Sequence, residues 1–371
     1  MRSINLVQIG VGLIGGAVIE QVIQNRPVWR EQLGFDVRYA AIARSNGALV
    51  SSDPDGWDDE FLAEAIAQRS MGLASLAQRS GATVKEVQSA IEKIAASGPM
   101  ILIDVAAGSK TARYAAAALD AGAGAVFSNK APFALPSDDP NGAKIWAQAG
   151  PGGRVRYETT CGAGLPVIST LRALLDTGDE PIEIMGALSG TLGAIFSNVA
   201  AGIPFSAAVH AAKAAGYTEP DPRDDLSGLD VARKALILAR TLGRTVDLNE
   251  INIESLVPNS LAKLSIEDYL KRVSQQDPEI AAHAAGAKAN GKTLKYVASV
   301  TPTGTISVGP RAIDSSTVLG ALQGPENIVS FRTSRYDAYP LNVAGPGAGA
   351  AVTAAGVLAD VIALATGPIG G

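Results

Sequence analysis

The sequence predicts an α/β protein of two parts, an N-terminal half built on a parallel sheet and a second α/β domain after residue 155. Three observations predict it. A short apolar strand runs directly into a glycine-rich turn and a helix at residues 4–23. Apolar strands and small-residue helices then alternate through residues 100–133, the rhythm of a parallel α/β sheet. At 371 residues, 47% of them hydrophobic and 18% charged, the chain is too long for one small domain and has material for two cores.

Composition also excludes. A net charge of −5 argues against a general nucleic-acid binder, which needs a basic surface. No run of about 18 apolar residues offers a membrane span. The start, "MRSINLVQIGVG", leads into a glycine loop and lacks a signal-peptide pattern. The one cysteine, Cys161, rules out an internal disulfide framework. With two histidines, His210 and His283, a Cys/His zinc site is not expected. The expectation is a cytoplasmic protein acting on a small molecule, its acid–base chemistry resting on Lys, Asp or Glu.

The elements follow in order. Ile4–Ile9 is an apolar strand, and Gly10, Gly12 and Gly15 then spell G-x-G-x-x-G. Ile14, Ala17, Val18, Gln21 and Val22 continue at helical spacing. Each glycine has a physical reason: Gly10 for the tight turn, Gly12 for backbone approach to a pyrophosphate, Gly15 for close packing of helix on strand. The free N–H groups of the helix start, at Leu13 and Ile14, face the anion. In this strand–turn–helix context the motif points to a dinucleotide; outside it the motif is a weak signal.

The next strand is 36–45, and it ends in Arg44-Ser45 where an NAD site usually places an acid for the ribose diol. Arginine can pair with a 2′-phosphate instead. NADP is therefore expected to be preferred, with NAD as the second coenzyme. Residues 53–97 read as a helical insertion in which no pattern points to chemistry. Residues 100–108 form a buried strand, 110–122 a helix with a glycine stop, and 123–133 a further strand with Lys130 just past its end. That edge is where open α/β sheets bind ligands.

From 154 the pattern changes. A strand, glycine-rich turn and helix are followed at 183–202 by the same scheme around Ser-Gly-Thr, then by a helix at 204–215. The stretch 214–234, "AAGYTEPDPRDDLSGLDVARK", concentrates acidic residues and two prolines before a helix. Asp224 or Ser227 is expected to cap that helix. Pro220 and Pro222 are expected to hold an extended backbone. Val231, Ala235, Leu238 and Leu242 share one face, and Asp230 and Lys234 lie together about 100° to one side, at its border. An isolated pair of this kind contributes only roughly 0.3–0.5 kcal/mol. A rigid acidic loop beside it is suited to grip an ammonium group.

This stretch resembles the signature of homoserine dehydrogenase. The glycine loop, "SNKAP", "YETTCGAGLP", "LSGTLGAIFS" and "GPGAGAAVTAAGVLADVI" resemble the same family in the same order, over nearly the whole chain except about 50–98. The resemblance implies a Rossmann domain at 1–155 completed by 343–371, and a catalytic α/β domain with a dimerisation region at 156–342. It implies Lys234 as the proton donor and acceptor at the substrate oxygen, with Asp230 tuning it. Glu219 would bind the substrate amino group with Asp225 assisting, and Thr191 would contact the substrate. Lys130 would stand near the nicotinamide, and Gly347 would close over it. Glu158, with main-chain carbonyls of Cys161, Ala163 and Leu165, resembles a site for a monovalent cation such as sodium or potassium. A homodimer is expected. With nothing before the first strand and little after "GPGAG", neither an appended kinase nor a regulatory domain is expected, nor threonine inhibition through one.

The reaction implied is interconversion of L-aspartate 4-semialdehyde and L-homoserine by hydride transfer with NAD(P), a step in threonine, methionine and isoleucine biosynthesis. A lysine that protonates the forming alkoxide must be neutral in the oxidative direction, so oxidation should favour alkaline pH. Two rivals stand beside it. One is a phosphorylating semialdehyde dehydrogenase with Cys161 as nucleophile, which would need a histidine base that neither His210 nor His283 offers in a motif. The other is a non-catalytic NADP-binding protein of the same fold.

Overall fold

The computed structural model describes residues 1–68, 76–77 and 84–369. The chain forms two compact units, 1–164 with 349–371, and 165–348.

The first unit is a seven-stranded sheet in the order β4-β3-β2-β1-β5-β6-β7. β1 (Arg2–Ile9), β2 (Phe35–Arg44), β5 (Met100–Asp104), β6 (Gly124–Phe127) and β7 (Val155–Arg156) run parallel. Their interior residues are mostly apolar and buried because helices cover such a sheet on both faces. Helix Leu13–Gln32 packs against the last helix, Ala350–Thr366, whose Val357, Val361 and Leu364 are fully buried.

The insertion holds helices Asp59–Ala67 and Val87–Ala95, as its periodicity implies. Periodicity did not reveal β3 (Gly47–Val50), just before the insertion, or β4 (Val84–Lys85) within it, antiparallel strands that extend the sheet edge. Its residues 69–75 and 78–83 lie outside the described ones.

The second unit is a six-stranded sheet in the order β13-β12-β8-β10-β11-β9. It comprises β8 (Pro181–Ala187), β9 (Asn252–Ile253), β10 (Lys292–Val300), β11 (Ser307–Asp314), β12 (Glu326–Thr333) and β13 (Leu341–Pro346). All pairs are antiparallel except β9 with β11. Helices Gly190–Ala200, Leu229–Thr241 and Asp277–Ala289 pack on β10.

The seams fall later than the 155/156 and 342/343 boundaries read from sequence. The turn Glu158–Thr160 packs on the last helix, where the Glu158 N–H donates to Asp360 at 2.9 Å, so the chain up to Gly164 stays with the first sheet. β13 pairs with β12 through Pro346, which keeps 343–348 in the second. Among the described residues no helix is long and apolar enough to cross a membrane.

Candidate active site

The glycine turn is built from contacts that each exclude a side chain. Gly10 has φ +102°, its N–H bonds Ala43 O at 2.9 Å, and an added Cβ would lie 3.0 Å from Val105 and Ala106 backbone. At Gly15 a Cβ would overlap the Gly10 carbonyl. Gly12 differs: it precedes the helix in an extended conformation, and nothing lies within 4 Å of a Cβ placed there. That open side, above the N–H groups of Leu13 and Ile14, fits a pyrophosphate.

Sequence reasoning missed the brace beneath the turn. Fully buried Gln8 donates to Gly10 O at 2.8 Å and Gly15 O at 3.0 Å, and accepts from the Tyr39 hydroxyl at 2.8 Å. Burial pushes the Tyr39 phenol well above its usual range, so it stays a donor. The available signal was one glutamine in an otherwise apolar strand.

Arg44 ends β2, and the Ile9–Ala43 pairing sets it beside the glycine turn. A tight turn at Ser45-Asn46 follows, with Arg44 paired to Gly47. Arg44 is half-buried, and burial lowers its pKa from the ordinary arginine value. A partly desolvated guanidinium gains from an anion.

At the carboxyl edge of β5, Asp104 is 1% exposed and burial pushes its carboxyl up to about 6, opposed by hydrogen bonds from Thr111, Ala106 and Asn129. Half-buried Lys130 follows Asn129 at the end of β6 and opens the short turn Ala131–Ala134.

In the second unit the five predicted residues form two groups, Lys234 with Asp230 and Thr191 with Asp225 and Glu219. Lys234, 8% exposed, pairs with Asp230 at 2.9 Å and donates to Leu188 O at 2.6 Å. Asp230 is half-exposed. The Thr191 hydroxyl donates to Tyr217 O at 2.5 Å and Asp225 at 3.0 Å. Asp225 also accepts the Glu219 N–H at 2.8 Å. Burial raises the Asp225 pKa, the two hydrogen bonds oppose it, and the charges of Asp230 and Asp224 add to the rise. Glu219 is exposed. A bound ammonium would offset this excess of negative charge.

One local expectation gives way and a second is met in part. Pro222 opens a helical turn, Pro222–Leu226, rather than holding an extended chain. Asp221 caps it by accepting the Arg223 N–H at 3.0 Å. Left-handed Gly228, φ 74°, directly precedes helix Leu229–Thr241, and the Ser227 hydroxyl still accepts the Leu229 N–H at 3.3 Å. A Cβ on Gly228 would overlap the Tyr296 hydroxyl, so the packing of β10 decides that boundary.

Gly347 is equally constrained, since its Cβ would overlap the Asn327 side chain. Asn327 is fully buried, and its amide makes no hydrogen bond among the described residues. A cavity of about 790 Å³, walled by residues such as Val199, Phe205 and Ile280, includes none of these site residues.

In the segment 158–165, Glu158 is 7% exposed and Cys161 fully buried. Ala163 has φ 54°, a left-handed conformation that costs an alanine roughly 1–2 kcal/mol. The Leu165 carbonyl accepts the Val167 N–H at 2.8 Å. Asp360 is pushed up to about 8, chiefly by burial and further by the charge of Glu158. A neighbouring buried carboxylate favours the protonated form of Asp360. No group of three His, Cys, Asp or Glu suited to a metal occurs among the described residues, so any ion here would rest on carbonyls and Glu158.

Burial of Cys161 opposes a nucleophilic role, and His210 and His283 are exposed helix residues. Cys161→Ser should keep kcat within about twofold, because the backbone carbonyl is unchanged and no thiolate is needed. Steady-state kinetics on the variant checks this; loss of turnover in a folded protein would revive the cysteine mechanism.

Residues 166–362 match the family model for homoserine dehydrogenase, and residues 10–157 the model for the homoserine dehydrogenase NAD binding domain. A homoserine dehydrogenase of Emericella nidulans is 37% identical over 369 residues, covering 95% of this chain and 96% of the relative. A maize bifunctional aspartokinase/homoserine dehydrogenase 2 is 37% identical over 96% of this chain, which spans only 38% of that relative's length. A hyperthermophilic archaeal homoserine dehydrogenase in complex with NADPH shares the fold, with a TM-score of 0.71, 24% identity and 97% of each chain covered. The two family models and the full-length fungal relative establish that the chain belongs to the homoserine dehydrogenase family.

Proposed function

We propose that the protein catalyses the NAD(P)-dependent interconversion of L-aspartate 4-semialdehyde and L-homoserine, with NADP preferred. The observation that carries this reading is the buried Lys234 ammonium, held by Asp230 and Leu188 O, near the Thr191–Asp225–Glu219 cluster of the same unit. The coenzyme, when bound, supplies or accepts the hydride. Lys234 delivers a proton to the forming alkoxide, or takes it from the hydroxyl in reverse. Asp230 and the carbonyl fix the ammonium's direction. Asp225 and Glu219 hold the substrate ammonium, and Thr191 positions Asp225. Gly10, Gly12, Leu13, Ile14 and Gly15 take the pyrophosphate, and Arg44 the 2′-phosphate. Lys130 and Gly347 serve the nicotinamide end.

Glu158 and the carbonyls of Cys161, Ala163 and Leu165 suit a monovalent cation; the buried carboxylate and the left-handed Ala163 support this part. A cytoplasmic homodimer within threonine, methionine and isoleucine biosynthesis completes the reading, on the family likeness. Homoserine with NADP should give NADPH absorbance in a spectrophotometric assay, and no turnover in either direction would overturn the proposal.

Glu219→Gln should raise KM for homoserine by roughly tenfold, the lower end for a charge-assisted contact because the side chain is solvated. KM for NADP should move by less than about twofold. Equal rises in both constants would indicate loss of folding instead.

A further inference from the structure

We infer that Asp104 is a positioning residue for the nicotinamide half of the coenzyme, clamping the loop that leaves β5 to the loop that leaves β6 and carries Lys130. This rests on the dinucleotide reading of the first unit. The Asp104 main-chain carbonyl accepts the N–H groups of Ser128 at 2.9 Å and Asn129 at 3.2 Å. One carboxylate oxygen accepts the Ala106 N–H at 3.1 Å. The other accepts the Thr111 hydroxyl at 2.5 Å and the Asn129 amide at 3.1 Å. Asn129, 6% exposed, donates further to Gly108 O at 2.8 Å and accepts the Ala131 N–H at 3.1 Å. The main chain before Lys130 is therefore tied to the Asp104 carbonyl, and the main chain after it is linked to the Asp104 carboxylate through the Asn129 amide.

A merely structural turn needs no charge there, since burying a carboxylate costs more than burying a neutral amide. A carboxylate is an acceptor only, so every donor around it must point inward and one loop arrangement is selected. The location gives that selection a use. Val105 and Ala106 lie so close to Gly10 of the glycine turn that a Cβ there would come within 3.0 Å of their backbone. The strand order β2-β1-β5-β6 puts the adenosine half on the β2 side, with Arg44, and leaves the β5–β6 side to the nicotinamide half.

Asp104→Asn puts an N–H₂ where only acceptors fit. The test compares binding of NADPH with binding of ADP-ribose 2′-phosphate, the same molecule without nicotinamide, by fluorescence and calorimetry. NADPH should weaken by about tenfold or more while the fragment stays within about twofold. A fall in kcat of about tenfold is expected with little change in KM for homoserine. The swap Asp104→Asn with Asn129→Asp should recover part of the loss, since it restores a donor–acceptor pair. Equal weakening of NADPH and fragment, or no weakening of either, overturns the clamp. If Asp104→Asn does not fold, Thr111→Val removes a single arm, and the same split between NADPH and fragment decides. Failure of the unaltered protein to bind NADPH would instead overturn the dinucleotide reading itself.

Discussion

Lys234→Ala should lower kcat by at least ~10²-fold, the usual scale for a general acid, while NADPH still binds near normally. The two halves of the result have separate physical causes. Lys234 is 8% exposed, and its ammonium pairs with the half-exposed Asp230 carboxylate and donates to the Leu188 carbonyl. Its removal leaves Asp230 in water, where a lone carboxylate is inexpensive, and alanine is a good helix former. The fold should therefore survive. What is lost is the only charged proton donor held in a fixed direction among the second-unit site residues. Lys234→Arg should fail almost as badly, because a guanidinium does not deprotonate and its planar fork cannot replace a compact ammonium. The measurement is steady-state turnover in both directions together with NADPH titration. An unchanged kcat would return the Asp230–Lys234 pair to an ordinary helix ion pair.

Arg44→Asp should reverse coenzyme choice. A guanidinium–phosphate pair contributes roughly 1.5–3 kcal/mol, about ten- to a hundredfold in affinity, so kcat/KM with NADP should fall by at least that factor. The aspartate also repels the 2′-phosphate, which adds to the fall. NAD should be equal or better, since a carboxylate at this strand end can accept the ribose hydroxyls. The long helix before β2 leaves the strand in register: Ile9 pairs with Ala43, and Arg44 stands beside the glycine turn. Comparing kcat/KM for both coenzymes on both proteins decides it. If the NADP/NAD ratio does not move, Arg44 is not the selector.

The sequence by itself determined the features whose causes are local. β1, the glycine turn and helix Leu13–Gln32 were legible because turn geometry and apolar period act over a few residues. The buried stripe of helix Leu229–Thr241, with Lys234 at its margin, was legible for the same reason, although its depth was not. Only the tertiary structure decided what depends on distant partners. Gln8 meets Tyr39 from the neighbouring strand, and Asp104 meets Asn129 from the next. A polar residue in an apolar strand says that some partner must exist but not which one. Gly228 rather than Ser227 directly precedes helix Leu229–Thr241 because the Tyr296 hydroxyl of β10 occupies the space a side chain would need. β3 and β4 were invisible as a pair because they meet across the whole insertion, and strands this short carry no period. The seams moved for a like reason: Asp360, on the last helix, holds the Glu158 N–H, a contact across most of the chain that no local pattern encodes.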